Sequence, residues 1–279
     1  MDIKAIYSIA KKEFLDNWRN KWIIAVAAIF LLLTLVVSYF GTSSSGGSGW
    51  KDIEDTIAIM MGIVTFLLPI IGLMLGYASI VGERERGSLS LMLSYPVLRH
   101  EVIIGKFVGL STVLSLATAI GFSISGVIIG LNVEGVHWAE YGIFIVASFL
   151  LGFVYIALAI MFSSILTKRS TALGASVFLW FLFAIIWGIV LIGILATQHS
   201  LSEISQGDWT GPTWYYLASI FNPNTAFQIL VALNIAPVAA DIAGDLPSFY
   251  STPITLLILL LWVVIPLGIA VLVMRKKDF

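Results

Sequence analysis

The sequence predicts an all-α membrane protein with six transmembrane helices and both termini in the cytoplasm. Three observations predict it. Six stretches contain no Asp, Glu, Lys or Arg: Trp22–Phe40, Thr56–Val81, Phe107–Leu131, Tyr141–Leu166, Thr171–Thr197 and Ile254–Met274. Each reaches about the twenty residues that a helix needs to cross a hydrocarbon core of roughly 30 Å. A hydrophobic content of 59% and a mean hydropathy of +1.01 exclude an ordinary water-soluble domain. Finally, 14 of the 15 Lys and Arg residues fall in alternate connections. Lys4, Lys11, Lys12, Arg19 and Lys21 precede the first span, and Arg84, Arg86, Arg99 and Lys106 separate the second from the third. Lys168 and Arg169 lie between the fourth and fifth, Arg275, Lys276 and Lys277 follow the sixth, and only Lys51 lies on the opposite side. Cationic loops stay in the cytoplasm, which fixes the orientation.

The net charge of -1 conceals this asymmetry: 14 cations face 7 carboxylates on the inner side, whereas Lys51 alone faces 9 on the outer. A basic inner surface suits anionic lipid head groups and carries no implication of nucleic-acid binding. The absence of cysteine removes disulfides, thiolate metal sites and cysteine nucleophiles together. The first twenty residues mix charges of both signs, unlike a cleavable signal peptide, so the first span is expected to remain as an anchor. The loops are too short for a separate soluble domain, and residues 1–279 read as a single membrane domain.

Ahead of the first span, Ile3, Tyr7, Ala10, Phe14 and Trp18 recur at helical spacing, with Lys4, Ser8, Lys11, Lys12, Asp16 and Arg19 on the other face. Residues 1–21 therefore read as an amphipathic helix lying in the inner interface, with Lys11, Lys12 and Arg19 toward the head groups and Trp18 as an aromatic anchor. Gly41–Gly49 is a flexible outer loop of small residues, and no Gly-Lys-Ser/Thr follows it to make a phosphate cradle. Pro69 predicts a kink in the second span and Pro266 one in the sixth. The pairs Gly72–Gly76, Gly105–Gly109 and Gly126–Gly130 have the spacing that permits close helix approach, although glycine is common in membrane helices generally. The outer region 198–253 holds five prolines and the aromatic run Trp214–Phe221 before Asn222-Pro223. It reads as an interfacial or re-entrant segment, since a seventh crossing would carry Arg275, Lys276 and Lys277 to the wrong side.

The inner loop 82–106, GERERGSLSLMLSYPVLRHEVIIGK, is unusual for a connector. Ser88 is positioned to cap a short helix, with Glu83 and Glu85 just before its positive end. Leu89, Leu91, Met92 and Leu93 make that helix apolar, Pro96 stops it, and a second helix starts near Arg99. The result is a short apolar helix, flanked by charges, lying across the inner surface. It fits either a groove on a partner or the head-group layer itself.

The pattern Gly82-Glu83-x-Glu85-x-Gly87-Ser88-Leu89, followed by Tyr95-Pro96, Arg99 and Gly105-Lys106, resembles the coupling-helix region of type-2 ATP-binding-cassette (ABC) permeases. Asn17-Trp18-Arg19-Asn20-Lys21-Trp22, Val133-Glu134-Gly135-Val136 and Asn222-Pro223 are similar to the Nos-type branch, whose transporter serves nitrous oxide reductase maturation. The resemblance covers nearly the whole chain and is weakest over 198–253. It implies a permease that dimerises and docks two cytosolic ATPase subunits through the inner loop, residues 1–21 being the elbow helix. By the same resemblance Glu83, Glu85, Gly87, Ser88, Leu89, Leu91, Met92, Leu93, Pro96 and Arg99 form the ATPase contact. It further implies an extracytoplasmic accessory partner concerned with a copper–sulfur site. No cofactor is expected on this chain, and a separate ATPase agrees with its lack of a GxxxxGK[ST] motif.

Other classes are disfavoured by the residues themselves. Gradient-driven carriers usually place ionisable groups inside the membrane, and the six stretches hold no Asp, Glu, Lys, Arg or His. A membrane enzyme would need a catalytic constellation, yet His100, His137 and His199 are scattered and neither HExxH nor GxSxG occurs. Met60, Met61, Met74 and Met161 are explained by core packing as well as by copper binding, so no metal ligand is assigned. A permease-like chain that transmits force without translocating cargo would share the same ATPase contact. An exporter of lipid, peptide or drug-like cargo is the alternative on the same scaffold.

Overall fold

The computed structural model describes residues 2–19, 21–40, 53–132, 137–198, 211–235, 247 and 249–276. The described residues are helical, with α1 (Ile3–Arg19), α2 (Trp22–Phe40), α3 (Ile53–Gly76), α4 (Val81–Glu85), α5 (Ser88–Leu93), α6 (Arg99–Gly130) and α7 (Trp138–Ile165) in the first part. These are followed by α8 (Arg169–Phe181), a π-helical turn (Leu182–Ile186), α9 (Trp187–Gln198), α10 (Thr213–Phe221), α11 (Pro223–Ala232) and α12 (Thr252–Lys276). The helices ending α3–α4, α6, α7, α8–α9 and α12 make five that are long and apolar enough to cross a bilayer. The pair α1 and α2, bent by 67°, supplies a sixth candidate. The Gly41–Gly49 loop and Val133–Val136 lie outside the described residues.

Apolar side chains cover much of the outside, as expected where lipid is the solvent. On α8 and α9, Phe178, Phe181, Ile189 and Val190 are exposed, and on α12 Leu257, Val264, Ile265 and Leu272. The interior is organised on α7, which packs against α3, α6, α11 and α12. An aromatic chain runs through it: Phe30 meets Phe122 at 5.0 Å between ring centroids, Phe122 meets Phe144 at 5.5 Å, and Phe144 meets Phe227 at 6.4 Å. Neither Pro69 nor Pro266 breaks its helix; α3 and α12 each continue through the proline.

All three glycine pairs are sites of close approach. A Cβ on Gly76 would lie 2.6 Å from Cβ of Ala159, and one on Gly72 3.1 Å from Cβ of Tyr155, so α3 and α7 nearly touch along this stripe. Gly126 and Gly130 instead leave room for the rings of Tyr141 and Trp138. Gly105 and Gly109 admit α1: a Cβ on Gly105 would lie 2.8 Å from Cβ of Ile9, and one on Gly109 2.7 Å from the carbonyl oxygen of Ala10.

The aromatic run expected near the outer surface forms α10, and α10 with α11 makes a helical hairpin turning at Asn222-Pro223. Helices of nine and ten residues are too short to cross a bilayer individually. The turn is held by polar groups in a buried setting. The Asn222 Nδ2 donates to the carbonyl of Phe183 in the π-helical turn at 2.8 Å, supplying a partner to backbone displaced from regular α-helical pairing. Its Oδ1 accepts from the Asn224 N–H at 2.9 Å, and Pro223 occupies the first helical position. Tyr155 on α7 donates to Asn224 Oδ1 at 2.7 Å, while Trp262 on α12 donates to the carbonyl of Phe221 at 2.9 Å. Asn222→Ala removes a cap and orphans a carbonyl, and we expect it to cost about 1–3 kcal/mol in thermal unfolding of the detergent-solubilised protein.

Candidate functional site: a buried ionic hub beneath the 82–106 segment

The segment 82–106 is fastened to the rest of the chain at every turn. The break between α3 and α4 leaves the N–H groups of Ile80 and Val81 without helical partners, and both donate to Ser163 Oγ of α7 at 3.0 Å. Arg84 donates to the carbonyl of Leu166, just past the end of α7. Glu85 accepts from the N–H of Arg169 at 2.7 Å, and the Arg169 guanidinium donates to the Tyr77 hydroxyl at 3.1 Å. These bonds join the connection 166–169 to α4.

At the start of α6, Arg99 donates to the carbonyls of Met274 and, at 3.1 Å, Arg275, where a cation favours the C-terminal end of α12. Glu101 accepts from the N–H groups of Leu98, at 3.0 Å, and Asp2. The second acceptance ties the beginning of α1 to the beginning of α6.

At the centre of these attachments sits Lys106, which is 0% exposed. Its Nζ lies 2.6 Å from Glu13 Oε1 of α1 and 2.9 Å from Glu83 Oε2 of α4. Glu83 Oε1 in turn accepts from Lys12 Nζ at 2.7 Å. Burial alone would push the Glu83 carboxyl up; the charges and hydrogen bonds of Lys106 and Lys12 outweigh it and hold it below the usual carboxylate range. Burial would likewise lower the Lys12 amine, but its bond to Glu83 and the surrounding carboxylates raise it. The hub joins three elements: α1, α4 and α6.

Several residues differ in placement from the sequence expectations. Glu83 and Leu89, 6% and 0% exposed, turn into the protein. Ser88 is not the cap: Gly87 holds that position with φ of 72°, a conformation suited to glycine, and the Ser88 hydroxyl donates to the Glu83 carbonyl at 3.2 Å. Lys106, assigned to a loop because the third apolar stretch begins at Phe107, lies within α6. On α1 the packed edge is Ile9, Ala10 and Glu13, whereas Ile3, Tyr7 and Trp18 are exposed. Lys11, Lys12 and Arg19 are also exposed. Helix α5 ends before Pro96 and α6 begins at Arg99, both as expected.

What remains outward on the loop is mainly apolar: Leu91 and Tyr95 are each 69% exposed and Leu98 53%, with Pro96 exposed between them and Met92 half-buried. A firmly anchored segment thus presents a small apolar face at its tip. The chain matches, over residues 7–279, the family described as "ABC-2 family transporter protein". It belongs to the ABC-2 transporter family. Two relatives of this ABC-2 permease carry the name "Probable ABC transporter permease protein NosY". One from Stutzerimonas stutzeri is 33% identical over 282 residues and one from Pseudomonas aeruginosa 34% over 281, with 98% of both chains covered in each case. The protein is thus a multi-pass permease subunit of an ABC transporter, similar to NosY.

A second feature of this permease lies toward the other end of the helices. A cleft of about 340 Å³ between α3, α9 and the α10–α11 hairpin is lined by the uncharged polar residues Thr65, Ser219, Asn222, Asn224, Thr225 and Gln228. His137, at the start of α7, lies 3.9 Å from Glu140 Oε1; His199 falls outside the described residues.

Proposed function

We propose that this chain couples ATP hydrolysis by a separate cytosolic ATPase to export or force transmission across the cell membrane, and that the tip of its inner loop is the ATPase contact. In this reading residues 1–279 form one permease domain with six spans and both termini in the cytoplasm. Residues 1–21 are the elbow helix, 82–106 the coupling loop and 198–253 an outer region with a re-entrant hairpin. The observation that carries the reading is the outward apolar face of Leu91, Tyr95 and Leu98 on a segment anchored to α1, α7, α8 and α12. A push on such a tip is delivered to four helices together.

The contact comprises Leu91, Met92, Tyr95, Pro96 and Leu98, with Glu85 at its rim; the side chain of Leu93, expected in the same contact, lies outside those the structure describes. Gly87 and Ser88 shape the turn, and Glu83, Leu89 and Arg99 hold the segment from below. Two copies of the permease pair in the membrane and engage two ATPase subunits, and an extracytoplasmic accessory protein receives the transmitted change. Similarity to the two NosY proteins supports a role in maturing the copper site of nitrous oxide reductase. Export of a lipid, peptide or drug-like molecule is the other reading, favoured by the uncharged lining of the 340 Å³ cleft.

Leu91→Glu with Tyr95→Glu tests the contact, because both side chains are exposed and neither holds the fold. The ATPase encoded beside the gene should co-purify with the intact chain, and its recovery should fall about tenfold or more with the double variant, as expected when charges enter an apolar anchor. Retention at the intact level would show that the docking face lies elsewhere. Failure of the intact chain to retain any ATPase, in detergent and in lipid, would overturn the coupling itself.

A further inference from the structure

Beside the hub, between α1, the end of α3, α4 and the start of α8, lies a cleft of about 600 Å³. Five cations and three carboxylates line it: Lys12, Arg19, Arg86, Lys106 and Arg169 against Glu13, Asp16 and Glu83. Glu13 and Glu83 are occupied by Lys106 and Lys12. This leaves three guanidinium groups against the single exposed carboxylate of Asp16, a surplus of positive charge on the cleft wall that is engaged in part by the contact of Arg169 with Tyr77. Arg169 lines the cleft with its guanidinium 5.5 Å from the Tyr77 ring centroid. Ser79, 8% exposed, also lines the cleft, and its hydroxyl has no hydrogen-bond partner among the described residues. A buried hydroxyl left unpaired is costly unless something enters to meet it.

The cleft's wall changes character along its depth. Toward the helices it is made by Met74 and Leu75 of α3, and Met74 is also exposed on the apolar outer surface. A charged mouth thus continues into a lipid-facing wall.

We propose that this cleft binds a phosphate group: guanidinium groups of Arg19, Arg86 and Arg169 take its oxygens, and the Ser79 hydroxyl donates to one of them. Planar guanidinium is the side chain best matched to phosphate oxygens. The same chemistry is offered by the head group of an anionic phospholipid, whose chains would follow Met74 and Leu75, and by free inorganic phosphate. The inference does not depend on the ATPase contact. It rests on the cleft, its charge surplus and Ser79.

The test uses the full-length chain, purified and stripped of lipid, with binding followed by native mass spectrometry and thermal shift. The probes are dioleoyl-phosphatidylglycerol, dioleoyl-phosphatidylcholine and inorganic phosphate. Phosphatidylglycerol should be retained about ten- to a hundred-fold better than phosphatidylcholine, the range expected when two or three cations contribute. The combined Arg19→Gln, Arg86→Gln and Arg169→Gln variant should abolish that preference. Lys4→Gln with Lys11→Gln, which removes two exposed cations of α1 outside the cleft, should leave it intact. Ser79→Ala should weaken binding several-fold without lowering the melting temperature of the ligand-free protein. If inorganic phosphate competes at millimolar concentration and shifts the intact chain but not the triple variant, the phosphate site stands and its source is soluble. Equal retention of both lipids with no phosphate effect would overturn the proposal, and so would a preference that survives the triple variant but is lost with the Lys4 and Lys11 changes.

Discussion

Lys106→Met is expected to destabilise the permease by about 3–5 kcal/mol, the cost of stripping one partner from a buried ionic group. The mechanism is specific. Glu13 and Glu83, with side chains only 11% and 8% exposed, lose the cation between them and are left as two carboxylates facing each other. Lys12 cannot compensate for both, because among the described residues it pairs with Glu83 alone, and it is itself half exposed. Lys12→Met should therefore cost about 1 kcal/mol or less, in the range of a partly solvated pair. The two variants are compared by thermal unfolding in detergent, with protease cleavage of α1 as a second readout. Replacing the whole hub, Lys106→Met with Glu13→Gln and Glu83→Gln, should recover much of the loss, because no uncompensated charge remains. A triple variant no more stable than Lys106→Met alone would show that the hub is not held electrostatically.

Gly109→Leu should be comparably damaging by a different route. The first added carbon already meets the Ala10 carbonyl oxygen at 2.7 Å, Glu13 Cβ at 2.8 Å and Ala10 Cα at 3.1 Å. Two of these are backbone atoms, which cannot rotate away. Overpacking typically costs about 1–3 kcal/mol, but here relief requires α1 to move off α6 and to carry Glu13 from Lys106. The loss should therefore exceed that range and combine non-additively with Lys106→Met, since both disrupt the same contact. Gly174→Leu on α8, where an added Cβ meets nothing within 4 Å, is the control and should be nearly neutral. Equal effects at the two positions would refute the close approach of α1 to α6.

The spans were legible because the membrane imposes one rule along the whole chain: an uninterrupted apolar stretch. A short helix that stops before crossing was legible in outline from Asn222-Pro223, a turn signal directly after the aromatic run. Its buried partners were not, since nothing local to Asn222 points to Phe183 or Tyr155. Lys106 was missed for a related reason. Reading apolar stretches places any lysine outside them, whereas two carboxylates 93 and 23 residues earlier allow this one to be buried. Glu13 was hidden in the same way, as one charge among several on a helix read for its apolar face. Gly105-Lys106, quoted only as a motif, was the available signal: a small residue one position before a cation, where another backbone comes close. Ser88 misled because serine before an apolar run is a common cap, but Gly87 alone suits the left-handed turn that precedes α5.

The ionic hub also bears on the order in which the chain is assembled. Glu13 is synthesised before the first span, and the lysine that neutralises it follows 93 residues later, at the head of the third. At about 5–20 residues per second, synthesis leaves that carboxylate waiting for roughly 5–20 seconds. Through that interval α1 has no α6 to lie against, and an unpaired carboxylate keeps it at the water boundary instead of sinking with α2. Docking of α1 is thus a late event that reports on the arrival of both α4 and α6. A nascent protein cut short before Lys106 would display Glu13 and Glu83 together, a mark by which an unfinished molecule differs from a finished one at the membrane surface.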